Sequence, residues 1–380
     1  MRIGFDFRPA LKTNSRNRGI GRYTHELAKA LLEVNTRHEF LLYTLAGECP
    51  ALSGSFESRE IASLTYPSRL NWLLDLALLP RYIGQDDLQL FHCTELTGVH
   101  RTGTTRTWVT VHDLIPLIFW EETVKQIPRD FAFFLRLAWK RIRQADKVIT
   151  DSEHSKNDIC ERMDIPGEKV EVVYLGTCSA IRHFDRGMAL EALRHLYGME
   201  EPFLFYVGGS DYRKNMGLLV RAFATIRERG FSGKLVIAGE TFGMDIPEVR
   251  EIRRQIHSLG LEPWVVLPGY VSDEDLSLFY SACEFFVFPS LYEGFGLPVL
   301  EAMKCGAPLL VSDTSSVPEV AGDCAHYFDP SELDSLLEAF WKAYENPARV
   351  ELLRVKGMER ATRFSWHGSA EKIHRLYSEL

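Results

Sequence analysis

FFVFPSLYEGFGLPVLEAMKCG, residues 285–306, decides the fold because its character changes twice within twenty-two residues. The opening FFVF is a short unbroken apolar run, the mark of a strand covered on both faces of a parallel sheet. Pro289–Ser290 ends it, and LYEGFGL reads as a loop. Pro298 suits the first turn of a helix, where its missing N–H costs nothing. Gly306 suits the left-handed residue that closes one. Strand, loop and helix in that order are one unit of an α/β sheet.

The same alternation runs outward from this stretch. In the first half the strand candidates are RIGFDF (2–7), FLLYT (40–44), QLFH (89–92), TWVTVHD (107–113), KVIT (147–150) and VEVVYLG (170–176). In the second half they are FLFYVGG (203–209), KLVIAGE (234–240), VVLPGY (265–270), FFVFPS (285–290) and PLLVS (308–312). Amphipathic stretches such as HELAKALLEV (25–34) and GLLVRAFATIRER (217–229) lie between them. Two such series predict two doubly wound, Rossmann-like domains facing across a cleft. Residues 1–180 form the first and 200–364 the second, with 181–199 as linker and 365–380 as a helix returning to the first.

Length agrees, since 380 residues exceed what one core usually serves. Apolar residues at 46% and charged residues at 25% are globular averages. A net charge of −8 argues against a nucleic-acid binder. Residues 1–180 carry 23 basic and 23 acidic side chains, and the remainder 21 and 29. The first half is therefore the side expected to meet an anionic acceptor or membrane surface. Seven scattered cysteines without a CxxC pair fit neither a disulfide framework nor a zinc site, and reduced thiols in the cytoplasm are expected. MRIGFDFRPA does not read as a signal peptide, and no stretch approaches about 18 uncharged apolar residues.

The chemistry gathers at the ends of predicted strands, where open parallel sheets bind ligands. At the helix start the backbone N–H groups of Phe295, Gly296 and Leu297 form an anion site suited to a diphosphate. Glu293 precedes it and Glu301 follows one turn inside the helix. Ionised carboxylates accept from sugar hydroxyls, so one can hold the transferred sugar and the other the ribose. YVGGSDYRKNMGLLV (206–220) puts Gly209, Arg213 and Lys214 after a strand, and the basic pair can neutralise a leaving diphosphate. SRNRGIGRYTHEL (15–27) feeds Gly19 and Gly21 into a helix start. TVHDLIPL (110–117) ends a strand at His112–Asp113, a group with acid, base and hydrogen-bonding capacity. Ser152 reads as an N-cap with Ser155 at N3. The residues after Gly269 resemble a nucleoside-binding turn, in which backbone groups of Tyr270 and Val271 would meet the base. RDFAFFLRLAWKRIRQADK (129–147), with RLNWLLDLALLPRYI (69–83), reads either as a surface for anionic lipid or as a core stripe with a solvated basic face.

E-G-F-G-L-P-V-L-E, with its two glutamates, resembles the signature of the retaining family-4 glycosyltransferases of the GT-B fold, and the likeness covers nearly the whole chain. The resemblance implies that Lys214 meets the leaving phosphate. It also places an arginine directly after the strand glycine. Gly209 stands there, so the missing role falls to Arg213. The glycine loop at Gly19 and Gly21 would face the donor phosphates, and His112 would lie beside the reacting sugar carbon. RGIGRY and DYRKN look most like bacterial mannosyltransferases of surface-polysaccharide assembly. GDP-mannose is therefore the first expected donor, with GDP-rhamnose, dTDP-rhamnose and UDP-sugars as alternatives. A glycan or lipid-linked sugar is the expected acceptor, reached from the cytoplasmic face with peripheral membrane contact. No DxD-type cluster stands out, and neither a metal nor another cofactor is expected. Two rival readings are a nucleotide-sugar 2-epimerase on the same fold and a non-catalytic sugar-nucleotide binder.

Overall fold

Runs of aromatic and β-branched residues pair into two wholly parallel sheets. The computed structural model describes residues 1–12, 19–48, 50–61, 71–100, 102–199 and 202–380. Residues 15–18 of the expected glycine loop, Cys49 and residues 69–70 lie outside them. The first sheet contains β1 (Arg2–Asp6), β2 (Glu39–Leu45), β3 (Glu57–Ile61), β4 (Leu90–Cys93), β5 (Arg106–Thr110), β6 (Lys147–Thr150) and β7 (Val170–Val172). Its spatial order is β3-β2-β1-β4-β5-β6-β7. The second contains β8 (Phe203–Val207), β9 (Lys234–Ala238), β10 (Val265–Gly269), β11 (Phe285–Phe288), β12 (Leu309–Ser312) and β13 (His326–Phe328), in the order β10-β9-β8-β11-β12-β13. The order reverses between β1 and β4 and between β8 and β11. Such switch points open a crevice beyond the carboxyl ends of the strands.

The chain divides into two units, residues 1–176 with 365–380, and residues 177–364. Residues 181–199, expected as a linker, instead carry the helix Arg186–Tyr197, which packs on the helix Asp273–Ala282 within the second unit. Asp185 caps it by accepting from the Gly187 and Met188 N–H groups. Capping residue and apolar face together make this stretch an element of the domain.

Two strands escaped the sequence reading, β3 and β13. Both are edge strands, and ESREI of β3 buries only Ile61 fully. Edge strands need no continuous apolar run. β5 is shorter than TWVTVHD and stops at Thr110, so His112 and Asp113 stand beyond the sheet.

Helix Arg129–Ile142 follows the core-stripe alternative. Phe134, Leu135, Ala138, Trp139 and Ile142 are buried, and the Arg136 guanidinium lies 5.0 Å from the Trp120 ring centroid. Phe133 is the exception at 65% exposure. Among the described residues no helix is long and apolar enough to cross a membrane. The six described cysteines are free thiols.

Helix Trp366–Ser378 completes the first unit. Ser365 caps it through the Gly368 N–H at 3.1 Å. Its buried Tyr377 hydroxyl lies 2.6 Å from His92 Nδ1, and it packs along helix Gly19–Val34. The approach is close at Gly176, where a Cβ would lie 2.4 Å from the Trp366 backbone nitrogen. Backbone cannot yield as a side chain can. Gly176→Ala should therefore destabilise the first unit by about 1–3 kcal/mol or more, read as a lower urea midpoint at unchanged m-value. A wild-type midpoint would contradict this account of the docking.

Candidate functional site

The loops leaving β8 and β11, the two strands at the second switch point, are bound to each other. After β8 the chain makes a short turn, Tyr212–Lys214, ended by Asn215 in the left-handed region at φ 55°. Asn215 Nδ2 holds that turn by donating to the Pro330 carbonyl at 2.7 Å. The Leu291 N–H donates to the Arg213 carbonyl at 2.7 Å. The turn and the loop after β11 thus share one backbone bond and bring their charged side chains together.

Glu293 is the centre of that meeting. Lys214 Nζ lies 2.6 Å from its Oε1 and Arg213 Nη1 lies 2.8 Å from its Oε2. Arg213 also donates to the Tyr292 carbonyl at 3.2 Å and pairs with Asp211 at 2.9 Å. Glu293 and Lys214 are each 7% exposed. The Glu293 backbone is fixed from the β12 side: its N–H donates to Ser315 Oγ at 2.9 Å, and Ser316 Oγ donates to its carbonyl at 3.0 Å. Burial opposes the charge on Glu293, but Lys214 and Arg213 more than offset it and hold its pKa at about 2. Burial draws Lys214 below its ordinary value against the pull of the same carboxylate. A charged triad out of water is a preorganised place for a further anion or hydroxyl.

Three residues beyond Glu293, Gly296 stands at φ 97° and opens the helix Leu297–Lys304, with Pro298 in its first turn and Gly306 past its end at φ 73°. A side chain at Gly296 would strain this bend. Its first N–H groups have no acceptor within the helix. Glu301, 6% exposed, accepts from the Tyr280 hydroxyl at 3.1 Å. The Gly209 carbonyl accepts from the Tyr206 hydroxyl at 2.9 Å. After β10, Tyr270 is 59% exposed and Val271 is buried.

His112 belongs to the first unit. β5 and β6 are neighbours, and the Val111 N–H donates to the Ile149 carbonyl at 2.8 Å. Residues just past both strands therefore stand side by side. His112 Nδ1 lies 2.6 Å from Asp151 Oδ2, and Nε2 lies 3.3 Å from the Thr94 carbonyl. Burial works against a charge on His112, but the Asp151 carboxylate outweighs it and raises the imidazole pKa. Asp113, the acid next in sequence, instead accepts from the Ile115 N–H at 2.9 Å. Ser152 caps the helix Glu153–Met163 through the Ser155 N–H at 3.0 Å. Gly19 and Gly21 are the first and third residues of helix Gly19–Val34 rather than a turn before it, and a Cβ at Gly19 would meet open space.

The structure thus joins Arg213, Lys214 and Glu293 directly, with the helix start only residues away in the chain. Sequence reasoning missed Asp151, Asp211, Tyr280, Ser315 and Ser316. Only for Asp151 was there a signal, an acid directly after a predicted strand, and using it required knowing that β6 adjoins β5. Among the described residues no group of three His, Cys, Asp or Glu side chains is placed to hold a metal.

Two outcomes follow from the electrostatics. A carboxylate held below its ordinary value contributes stability above that value and loses it as pH falls through the folded pKa. The stability gap between wild type and Glu293→Gln should therefore be about 3–5 kcal/mol near pH 7, because the buried Lys214 loses its carboxylate partner. It should shrink from about pH 4.5 toward pH 2 in urea melts. A gap independent of pH would count against the pairing. For His112 the sign is opposite: a raised pKa favours the folded state at low pH and the gain is lost as pH rises through it. Asp151→Asn should lower the His112 pKa in a 15N-histidine NMR titration; an unmoved pKa would remove Asp151 as the cause.

Comparison with known proteins accords with this geometry. A model described as Glycosyltransferase Family 4 matches residues 17–178, and one described as Glycosyl transferases group 1 matches residues 194–364. Over 386 residues the chain is 26% identical to O-antigen chain mannosyltransferase B of Escherichia coli, covering 95% of this chain and 96% of that protein. Over 279 residues it is 29% identical to serotype-specific mannosyltransferase WbdA of Escherichia coli, covering 72% of this chain and 34% of the relative, so it spans about a third of that protein's length. Sucrose-phosphate synthase of Thermosynechococcus elongatus shares the fold, with a TM-score of 0.80 at 22% identity over 100% of this chain and 98% of the other. With both sheets, both matched domains and the charged switch-point triad in hand, the chain belongs to the family-4 glycosyltransferases of the GT-B fold.

Proposed function

We propose that the chain transfers a hexose with retention at the anomeric carbon, mannose from GDP-mannose in the first instance. The acceptor in this reading is a lipid-linked sugar or glycan of bacterial surface-polysaccharide synthesis. One observation carries the reading: Lys214 and Arg213 share the buried Glu293 beside the start of helix Leu297–Lys304. The mannosyl specificity named for the two Escherichia coli relatives supports the choice of sugar.

The barrier lies in separating the sugar from its diphosphate as positive charge grows on the ring. Fixed donors aimed at the departing oxygens lower it most when they need no reorganisation. Lys214, Arg213 and the N–H groups at 295–297 are such donors. When a diphosphate arrives, the two cations turn part of their hydrogen bonding from Glu293 to phosphate oxygens. Glu293, ionised at any working pH, then accepts from sugar hydroxyls. Glu301 takes the ribose in this scheme, with the backbone at Tyr270 and Val271 on the base. Gly209 leaves room by the phosphates. His112 donates from Nε2 to a sugar hydroxyl, giving up its 3.3 Å contact with the Thr94 carbonyl while Asp151 keeps Nδ1. The leaving phosphate accepts the proton of the attacking hydroxyl on the same face of the sugar. The basic pair supplies the neutralisation that a metal would otherwise give, so the reaction runs without one and without another cofactor. The enzyme works on the cytoplasmic side, touching the membrane where its acceptor resides.

Incubation with GDP-mannose, GDP-rhamnose, dTDP-rhamnose and UDP-sugars, with and without a lipid-linked glycan acceptor and in EDTA, tests this. Acceptor-dependent GDP release with an α-linked product is expected, and Lys214→Ala should lower kcat by about 10²–10³. Epimer and free nucleotide without acceptor, or wild-type turnover in both Lys214→Ala and Arg213→Ala, would overturn the assignment.

A further inference from the structure

A cavity of about 260 Å³ lies in the first unit, away from the residues discussed so far. It is lined by His100, Thr107, Arg141 and Gln144, with Pro80 and Val99 among its apolar walls. Thr107 stands near the amino end of β5, whereas His112 lies past the carboxyl end of that strand. The two are five positions apart along the chain, roughly 16 Å at the rise of extended backbone. Among the described residues no acidic side chain lines the cavity.

Arg141 is its one charged group among the described residues. Nη1 lies 3.2 Å from His100 Nδ1 and 3.5 Å from the Val99 carbonyl oxygen, and among the described residues it has no carboxylate partner. A guanidinium only donates, so His100 Nδ1 accepts and the ring proton sits on Nε2. His100 is 3% exposed, and among the described residues its Nε2 has no hydrogen-bond partner. The Thr107 hydroxyl donates to the His100 carbonyl at 2.9 Å, which fixes the residue. Asp146, beside the cavity in sequence, is engaged elsewhere: its Oδ2 accepts from the Thr107 N–H at 2.7 Å. Burial, reinforced by the Arg141 charge, brings the His100 pKa down to about 3, so the ring is neutral at working pH.

Among the described residues the site therefore presents a cation and a buried ring N–H but no carboxylate. It holds a half-buried cation whose contacts are both neutral and an N–H with nothing to bond. Buried donors and charges left in that state cost free energy that a suitable ligand would recover. An oxyanion satisfies both at once, and planar guanidinium matches phosphate oxygens two at a time. The volume suits a phosphate or a single phosphomonoester head and falls below that of ordinary small-molecule pockets. We infer that the His100–Arg141 cavity is a second, non-catalytic binding site for a phosphate oxyanion. The same chemistry comes from a soluble phosphate or from a lipid headgroup, and Arg141 sits on the helix that exposes Phe133.

Inorganic phosphate titrated into the full chain by calorimetry, with 15N-histidine NMR alongside, tests the site. Saturable binding that shifts the His100 ring signals is expected. It should persist in Lys214→Ala, which removes the anion contact of the donor site, and weaken about ten- to a hundredfold in Arg141→Gln. If Arg141→Gln does not fold, Arg141→Lys serves: it keeps the charge, loses the fork and should weaken binding less. Vesicles of phosphatidylcholine with and without phosphatidic acid, whose head is a phosphomonoester, separate the sources. Flotation that requires both the anionic lipid and Arg141 assigns a headgroup; phosphate binding without such flotation assigns a soluble ligand. Absence of both, His100 signals that ignore phosphate, or phosphate binding that Lys214→Ala abolishes would overturn the proposal.

Discussion

One carboxylate shared by two cations organises the second unit's switch point. Glu293 is buried, and so is Lys214, so neither could remain charged alone at tolerable cost. Their mutual dependence explains the surrounding construction. Ser315 and Ser316 fix the Glu293 backbone, Asp211 takes the spare side of Arg213, and Asn215 adopts a left-handed turn to present the basic pair. A stabilising role for the triad in the resting chain and a catalytic role with substrate are compatible. The same preorganisation that balances the charges also removes the need to reorganise them later.

The first sheet uses an equivalent logic with different chemistry. Adjacent strands β5 and β6 end level with each other, and the residues after them form the His112–Asp151 pair. In both units, then, parallel pairing brings together side chains far apart in sequence: 39 residues separate His112 from Asp151 and 79 separate Lys214 from Glu293. Register, rather than local sequence, makes each pair.

This explains what could be read beforehand. Buried central strands such as FFVF and KVIT announce themselves because both faces are apolar, and the helix from Leu297 because Pro298 and Gly306 punctuate it. The half-polar edge strands β3 and β13 carry no such mark. Arg213, Lys214 and Glu293 were legible as types of residue in suggestive places. That they touch was not, since contact depends on β8 and β11 being neighbours. Asp151 was hidden for the same reason, and Asp113 drew attention only through adjacency. The stretch at 181–199 lacks a strand and so resembled a connection, although Asp185 and the helix after it pack as part of the domain.

The docking of helix Trp366–Ser378 bears on how the chain is made. Trp366, Ile373 and Tyr377 are buried within the first unit, yet they are translated after the whole of the second. Domains ordinarily fold in the order of synthesis, at about 5–20 residues per second. Here His92 must wait for Tyr377 until all of residues 177–364 has been translated, roughly 10–40 s later. The nascent amino-terminal lobe spends that interval with an apolar flank uncovered, an opening for chaperones and a window for misassembly.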